Sequence, residues 1–177
     1  MTYTQHYDSP LGGILFAADE EGLTGLWFDG QKYFARTLPK EYAESETPVL
    51  CEAKRWLDIY FSGREPDFTP PLHPEGSAFQ QVVWVLLLEI PYGETTTYGT
   101  LARKLAEKQG LTHMSAQAVG GAVGHSDISL IIPCHRVVGA SGSLTGYAGG
   151  VDKKIKLLEL ERADMKSFFV PKAGTAL

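Results

Sequence analysis

The stretch Ile131-Ile132-Pro133-Cys134-His135-Arg136-Val137-Val138-Gly139 places a thiol, an imidazole and a guanidinium in consecutive positions, behind an apolar run and ahead of glycine-rich sequence. A cysteine attacks as its thiolate and needs a cationic or hydrogen-bonding neighbour to lower its pKa. His135 and Arg136 are the adjacent candidates. Neighbours along a strand point to opposite faces, so His135 is expected to reach the sulfur through a bridging water. Glu161, on a closing helix, could orient that imidazole through its far nitrogen. Most free cysteines are buried and inert. Cys51, on an amphipathic helix with no histidine nearby, is read that way, whereas the surroundings of Cys134 favour a nucleophile. The chain has no Cys-x-x-Cys and no spaced Cys/His set, so no metal is expected. His113 and His125 read as surface loop residues.

These groups need elements to hold them. Residues 2–7, 13–18 and 23–28 read as short strands separated by Ser9-Pro10-Leu11-Gly12 and Asp19-Glu20-Glu21-Gly22, which predicts an antiparallel meander. Thr47-Pro48 opens a helix with Leu50, Ala53, Leu57 and Tyr60/Phe61 on one face, and Gly63 stops it. Residues 64–76 contain Pro66, Pro70, Pro71 and Pro74 and read as a linker. Ser77-Ala-Phe-Gln80 is a capping-box pattern for a helix running toward Pro91-Tyr92-Gly93. Thr97 caps the next helix and Gly110 ends it. Ser115 caps a short helix to about 123, and a last helix spans about 152–163. The two short helices have the form of a helix-turn-helix. The second, with Ala116, Gln117, Ala118, Val119, Gly120, Gly121 and Ala122, costs about 1 kcal/mol per glycine relative to alanine. Tight helix packing or close approach of nucleic acid would each explain it, and composition alone favours packing. Apart from Gln117 it lacks the side chains that read base edges in a major groove. The expected fold is therefore α/β (α+β): residues 1–76 form a small antiparallel sheet with a helix, and residues 77–177 a mostly helical domain with the helix-turn-helix and the cysteine turn.

The chain has 177 residues, 44% hydrophobic and 21% charged, a globular balance. The longest apolar run, 82–88, is far too short to cross a bilayer, and the first residues do not resemble a secretion signal. With two cysteines a disulfide framework is not expected, and a reducing cytosol is the natural compartment. The net charge of -5 argues against a nucleic-acid partner until it is divided. Residues 1–76 carry six basic and thirteen acidic groups, and residues 77–177 carry ten and eight. Within 98–147, Arg103, Lys104, Lys108 and Arg136 stand against Glu107 and Asp127, which predicts weak, salt-sensitive binding.

Pro133-Cys134-His135-Arg136-Val137 resembles the signature of the O6-alkylguanine-DNA alkyltransferases (methylated-DNA–protein-cysteine methyltransferases). Phe79-Gln80-x-x-Val83-Trp84, Ile90-Pro91-Tyr92-Gly93-Glu94-x-Thr96-x-Tyr98, Ala118-Val119-Gly120-Gly121-Ala122 and Gly146-Tyr147-x-Gly149-Gly150 occur in that family's order, and the resemblance spans essentially the whole chain. It implies a DNA repair protein that flips O6-alkylguanine, chiefly O6-methylguanine, out of the duplex and transfers the alkyl group irreversibly to Cys134. His135 would act as base through a water, Glu161 would orient it, and Tyr98 would hydrogen-bond the guanine. The resemblance places Pro133, Val137, Tyr147 and Ala148 at the guanine pocket and Ser126 as a brace for the cysteine turn. It places Thr97, Arg103, Ala116, Gln117, Ala118, Gly120 and Gly121 at double-stranded DNA, with the second helix in the minor groove. No cofactor is implied. The protein would act as a monomer, in the cytosol, and once per molecule, because a thioether is a very poor leaving group.

Three residues depart from the family pattern. Gln117 stands where an arginine usually enters the base stack, Ser126 where an asparagine usually braces the turn, and Ala148 where a serine is often found. An insertion lies around Glu107–Leu111. The alternative reading is a non-catalytic damage-recognition protein of the alkyltransferase-like kind, but such proteins replace the cysteine, and Cys134 is present.

Overall fold

The computed structural model describes residues 1–171; the remainder of the expected 77–177 domain, 172–177, lies outside the described residues. The chain divides into two compact units. One is Met1–Gly76 together with Asp127–Ile131, and the other is Ser77–Ser126 together with the chain from Ile132 onward. The short segment 127–131, which the sequence assigns to the second lobe, thus groups with the first.

In the first unit, β1 (Tyr3–Ser9), β2 (Gly12–Ala18) and β3 (Leu23–Phe28) pair antiparallel in sequence order. The two turn sequences between them close this meander. A fourth strand, β4 (Ala43–Glu44), adds parallel to β1, so the sheet is mixed and its order is β3-β2-β1-β4. Two residues without a flanking turn signal are too few to announce a strand.

The free edge of β3 is covered by chain from far along the sequence. Leu23 exchanges backbone hydrogen bonds with Pro71 and His73, and Leu26 with Asp127 and Ser129. An exposed edge would be a site for unwanted strand pairing, and this cover removes it. The proline-rich stretch 64–76 is therefore not wholly a linker. Its residues 71–73 belong to the sheet edge. The buried Asp127 carboxylate accepts from Trp27 Nε1 at 3.2 Å and pairs with Arg36, fixing the second cover segment. Helix α1 (Pro48–Phe61) is capped by the Thr47 hydroxyl, which accepts from the Leu50 amide. It buries Leu50, Ala53, Trp56, Leu57 and Tyr60.

In the second unit, α2 (Ala78–Leu87) starts with the full reciprocal capping box of Ser77 and Gln80. Val83, Trp84, Leu86 and Leu87 face inward, whereas Val82 is exposed. The strand β5 (Thr96–Thr97) leads directly into α3 (Tyr98–Gln109), which ends at Gly110 in the left-handed conformation (φ 67°) that glycine adopts without strain. Helix α4 (Ala116–Gly124) is capped by Ser115. The Trp84 indole donates to Ala122 O at 2.9 Å and ties α2 to α4. A 3₁₀ turn (Cys134–Arg136) precedes β6 (Val137–Val138), and β6 pairs parallel with β5. Helix α5 (Val151–Leu160) follows, shorter at its end than the sequence expectation. Val138, Leu144 and Leu158 form a small core, with Val151, Ile155, Ala163, Met165 and Phe168 packed against it.

Candidate active site and nucleic-acid face

The segment before β6 is a 3₁₀ turn, not a strand. Pro133 O accepts from the Arg136 amide at 3.0 Å, and Cys134 O from the Val137 amide. With three residues per turn, successive side chains diverge by about 120°, so Cys134, His135 and Arg136 point in three directions. All three are buried. The strand on which the expected opposite facing of Cys134 and His135 rested is thus absent.

His135 meets Glu161. Its Nε2 lies 2.6 Å from Glu161 Oε2, and both side chains are fully buried. Arg136 turns to the same carboxylate: Nε donates to Glu161 Oε1 at 2.8 Å and Nη1 to Ile90 O at 2.7 Å. The Gly93 amide also donates to Oε1, at 3.1 Å. Glu161 sits just past the end of α5, and Gly93 follows the Pro91-Tyr92 corner after α2. Burial alone would raise the Glu161 pKa, but hydrogen bonds and charge from His135 and Arg136 hold it well below the usual carboxylate range. Burial lowers that of His135 despite Glu161 beside it. A carboxylate only accepts, so the nitrogen facing it carries the proton. With that proton on Nε2, the neutral ring that burial favours has its lone pair on Nδ1, which is buried and has no hydrogen-bond partner among the described residues.

The sequence reading names His135 and Arg136 as the groups that would lower the thiol pKa. The cation that does so is Lys154, which that reading missed. Burial pushes the Cys134 thiol up to about 11, opposed first by the charge of Lys154 and then by nearby backbone amides. Lys154 is itself fully buried, and its ammonium donates to Val137 O at 2.6 Å and to Thr145 O at 2.8 Å. Burial brings its pKa down to about 8, so it stays mostly protonated at neutral pH. The resting thiol is therefore protonated, and a base is needed to ionise it. A signal for Lys154 was present: with Val151, Ile155 and Leu158 it completes the inward stripe of α5.

The β5–β6 pairing sets Tyr98, the first residue of α3, close to the cysteine turn. Its hydroxyl is buried without a hydrogen-bond partner among the described residues, and burial, followed by the charge of Cys134, raises its pKa. Tyr147 presents its ring edge-on to His135, with centroids 6.4 Å apart. Val137, Pro133 and Ser126 are buried, and Ala148 is half-buried. Among the described residues no group of three His, Cys, Asp or Glu side chains could hold a metal ion.

On α4, Ala116, Gln117 and Ala118 are exposed. The two glycines differ. Gly120 is buried with Val119 and Ala122, so the inner face accounts for it and its expected place at DNA gives way to packing. Gly121 is half-exposed, and an added Cβ there would meet nothing within 4 Å, so packing does not explain it. The Thr97 hydroxyl accepts from the Thr100 amide as the α3 cap, and the exposed Arg103 donates to the Thr100 hydroxyl at 3.1 Å. A groove of about 450 Å³ lies between α3 and α4, lined by Gly99, Arg103, Leu111, His113 and Ala116 among others. Two charges counted in the sequence for this region are spent internally. Arg136 faces Glu161, and Asp127 pairs with Arg36. His125 is not a loop residue but the cap of α4, with Nδ1 2.7 Å from Gly121 O.

Residues 78–163 match the family model of the 6-O-methylguanine DNA methyltransferase DNA-binding domain, and residues 2–74 that of its ribonuclease-like domain. The chain is 42% identical over 161 residues to a methylated-DNA–protein-cysteine methyltransferase of Haemophilus influenzae, covering 90% of this chain and 86% of that protein. It is 45% identical over 160 residues to the protein so named in Methanosarcina acetivorans, covering 90% and 97%. The crystal structure of Mycobacterium tuberculosis OGT in complex with DNA superposes with a TM-score of 0.78 at 40% identity, covering 90% of this chain and 92% of that one. Matched by both family models along nearly its whole length and 40% or more identical to these relatives, this chain belongs to the 6-O-methylguanine DNA methyltransferase family.

Proposed function

We propose that this protein repairs DNA by transferring the alkyl group of O6-alkylguanine, chiefly the methyl of O6-methylguanine, to Cys134 in a single irreversible turnover. The observation that carries the reading is a buried thiol one residue from an imidazole whose Nε2 is held by Glu161 and whose Nδ1 is unpartnered among the described residues. His135 Nδ1 takes the thiol proton through a water, and Glu161 holds the imidazole. Lys154 stabilises the thiolate while it exists. The sulfur attacks the saturated carbon on O6, an S–C bond forms, and the C–O bond breaks with its electron pair passing to guanine. The proton lost by the thiol ends on the departing base, and Tyr98 donates a hydrogen bond to it. Pro133, Val137, Tyr147 and Ala148 line the guanine pocket, and Ser126 braces the turn.

The substrate is double-stranded DNA. The exposed small residues of α4 enter the minor groove, with Gly121 at the closest approach, and Thr97 and Arg103 lie at the backbone. Flipping the damaged base costs a few kcal/mol, less than for an intact pair. The protein acts as a monomer in the cytosol, and among the described residues no helix is long and apolar enough to cross a membrane.

Excess duplex carrying O6-methylguanine tests this reading. Methyl loss from the DNA should stop at one per protein molecule. Continued turnover would sink the single-use mechanism, and tight binding without methyl loss would favour a damage sensor.

A further inference from the structure

The ion network around Glu161 holds one charge more than the base step requires. His135 and Glu161 would suffice to orient an imidazole, yet Arg136, itself nearly buried, donates to the same carboxylate at 2.8 Å. Its fork is fixed at the other end by Ile90 O at 2.7 Å, and its guanidinium lies 5.7 Å from the centroid of the Tyr92 ring. Such a side chain is neither placed for a phosphate nor turned toward the sulfur.

We propose that Arg136 is a positioning residue for the transfer: by neutralising Glu161 it keeps His135 an uncharged imidazole, with its proton on Nε2 and its Nδ1 lone pair open. The inference rests on the reading of His135 as the base. A buried carboxylate requires a compensating positive charge. Two neighbours can supply it, a guanidinium that is always charged or an imidazole that can become so. The charged and titratable groups facing His135 are Cys134 and Arg136 from its own turn, Glu161 and Lys154 from α5 and its end, and Tyr147 from the following loop. Among the described residues Glu161 alone favours the imidazolium. Arg136 and Lys154 oppose it, and Lys154 is held by two backbone carbonyls away from the carboxylate. With Arg136 in place, Glu161 is already balanced and a proton on His135 would be surplus. Without Arg136, the cheapest balance is to protonate His135. That fills Nδ1 and removes the acceptor that the thiol proton needs.

The direction follows. Removing Arg136 takes away a charge that lowers the His135 pKa and leaves the one that raises it, so that pKa rises. Transfer needs the neutral ring, so the loss is greatest at low pH and is recovered as pH rises. A merely structural role would slow transfer by one factor at every pH.

The test uses the full chain, with methyl transfer from a single-stranded O6-methylguanine oligonucleotide followed across pH. In parallel, the His135 ring nitrogens are followed by NMR. Arg136→Gln should be about tenfold slower than the wild type near pH 7 and approach it near pH 9, with a protonated Nδ1 at the lower pH. Arg136→Lys retains the charge and should keep Nδ1 bare at pH 7 with an unshifted profile. A pH-independent loss in Arg136→Gln, or a bare Nδ1 in it at pH 7, would overturn the proposal. If Arg136→Gln does not fold, a protonated Nδ1 in Arg136→Lys at pH 7 overturns it equally. A wild type that transfers no methyl would instead sink the base reading, and the ring titration would still decide the role of Arg136.

Discussion

Around Cys134 the charged groups are buried and committed, Glu161 to three donors, Arg136 to two acceptors and Lys154 to two carbonyls, while His135 Nδ1 and the Tyr98 hydroxyl are buried without a partner among the described residues. Along the outer face of α4 the reverse holds, with Ala116, Gln117 and Ala118 in solvent and open space over Gly121. The reactive site is complete before a substrate arrives, and low dielectric makes its charges effective there. The helix face is left bare, which is useful only if a ligand brings the complementary surface. Lys154 and Gly121 mark the two plans. One is a charge buried at a cost and retained for its neighbour, and the other a position that costs helix stability and whose missing side chain no internal packing explains.

Breaking the site side of this contrast should have the largest effects. Glu161→Gln leaves buried Arg136 unbalanced and replaces one of the two oxygens that accept from His135 and Arg136 by a donor. Methyl transfer from single-stranded oligonucleotide should fall by about 10²- to 10³-fold, the scale of a lost general base. Thermal unfolding should show the protein destabilised as well. A variant with full rate would remove Glu161 from the mechanism.

Lys154→Met comes next. The thiol then loses the charge that opposes burial, so its pKa should rise further above about 11. The transfer rate should drop by about tenfold, and the thiol titration should shift upward together with it. An unshifted titration would show that Lys154 serves only the carbonyls of Val137 and Thr145.

On the helix side, Gly121→Ala should separate stability from binding. A methyl there meets no protein atom, and the helix gains up to about 1 kcal/mol from alanine propensity. Unfolding should move up slightly while affinity for duplex weakens several-fold. Equal or better duplex binding would return Gly121 to the packing explanation.

The smallest expected change is Gln117→Arg. An added charge on the exposed face should raise the duplex rate a few-fold and leave the single-stranded rate alone. No change on duplex would mean that Gln117 does not limit base extrusion.

Acid should act through the same buried groups. His135 is held below its ordinary value and the unfolded chain titrates near 6.5, so the unfolded state binds the extra proton. Stability should therefore begin to fall as pH drops below about 6.5, with Glu161 adding its loss below about 4.5. Denaturant melts of wild type and Glu161→Gln across pH 2–8 check this: the variant should lack the Glu161 part of the fall.

Features encoded over three or four residues were legible in the sequence. Thr47, Ser77, Thr97 and Ser115 each cap the helix expected of them, because a short hydroxyl followed by an open amide is local chemistry. The three-strand meander was legible for the same reason. The cover of β3 by 71–73 and 127–129 was not, since those pairings join residues about 50 and 100 positions apart and nothing nearby announces them. The proposed nucleophile and base could be named from their motif, but the direction of Arg136 could not, because a 3₁₀ turn and a strand send a third residue to different places. Lys154 was passed over because a lysine on the inward stripe of a helix is read from its type as exposed, and only packing shows it buried.

The central claim is that the thiol in the built site accepts the methyl group and the exposed Cys51 does not. Peptide mass spectrometry after incubation with duplex carrying isotopically labelled O6-methylguanine tests it most directly. One labelled methyl is expected on the Cys134 peptide, none on the Cys51 peptide, and no labelled protein in Cys134→Ala. Label on Cys51, or label that persists in Cys134→Ala, would contradict it.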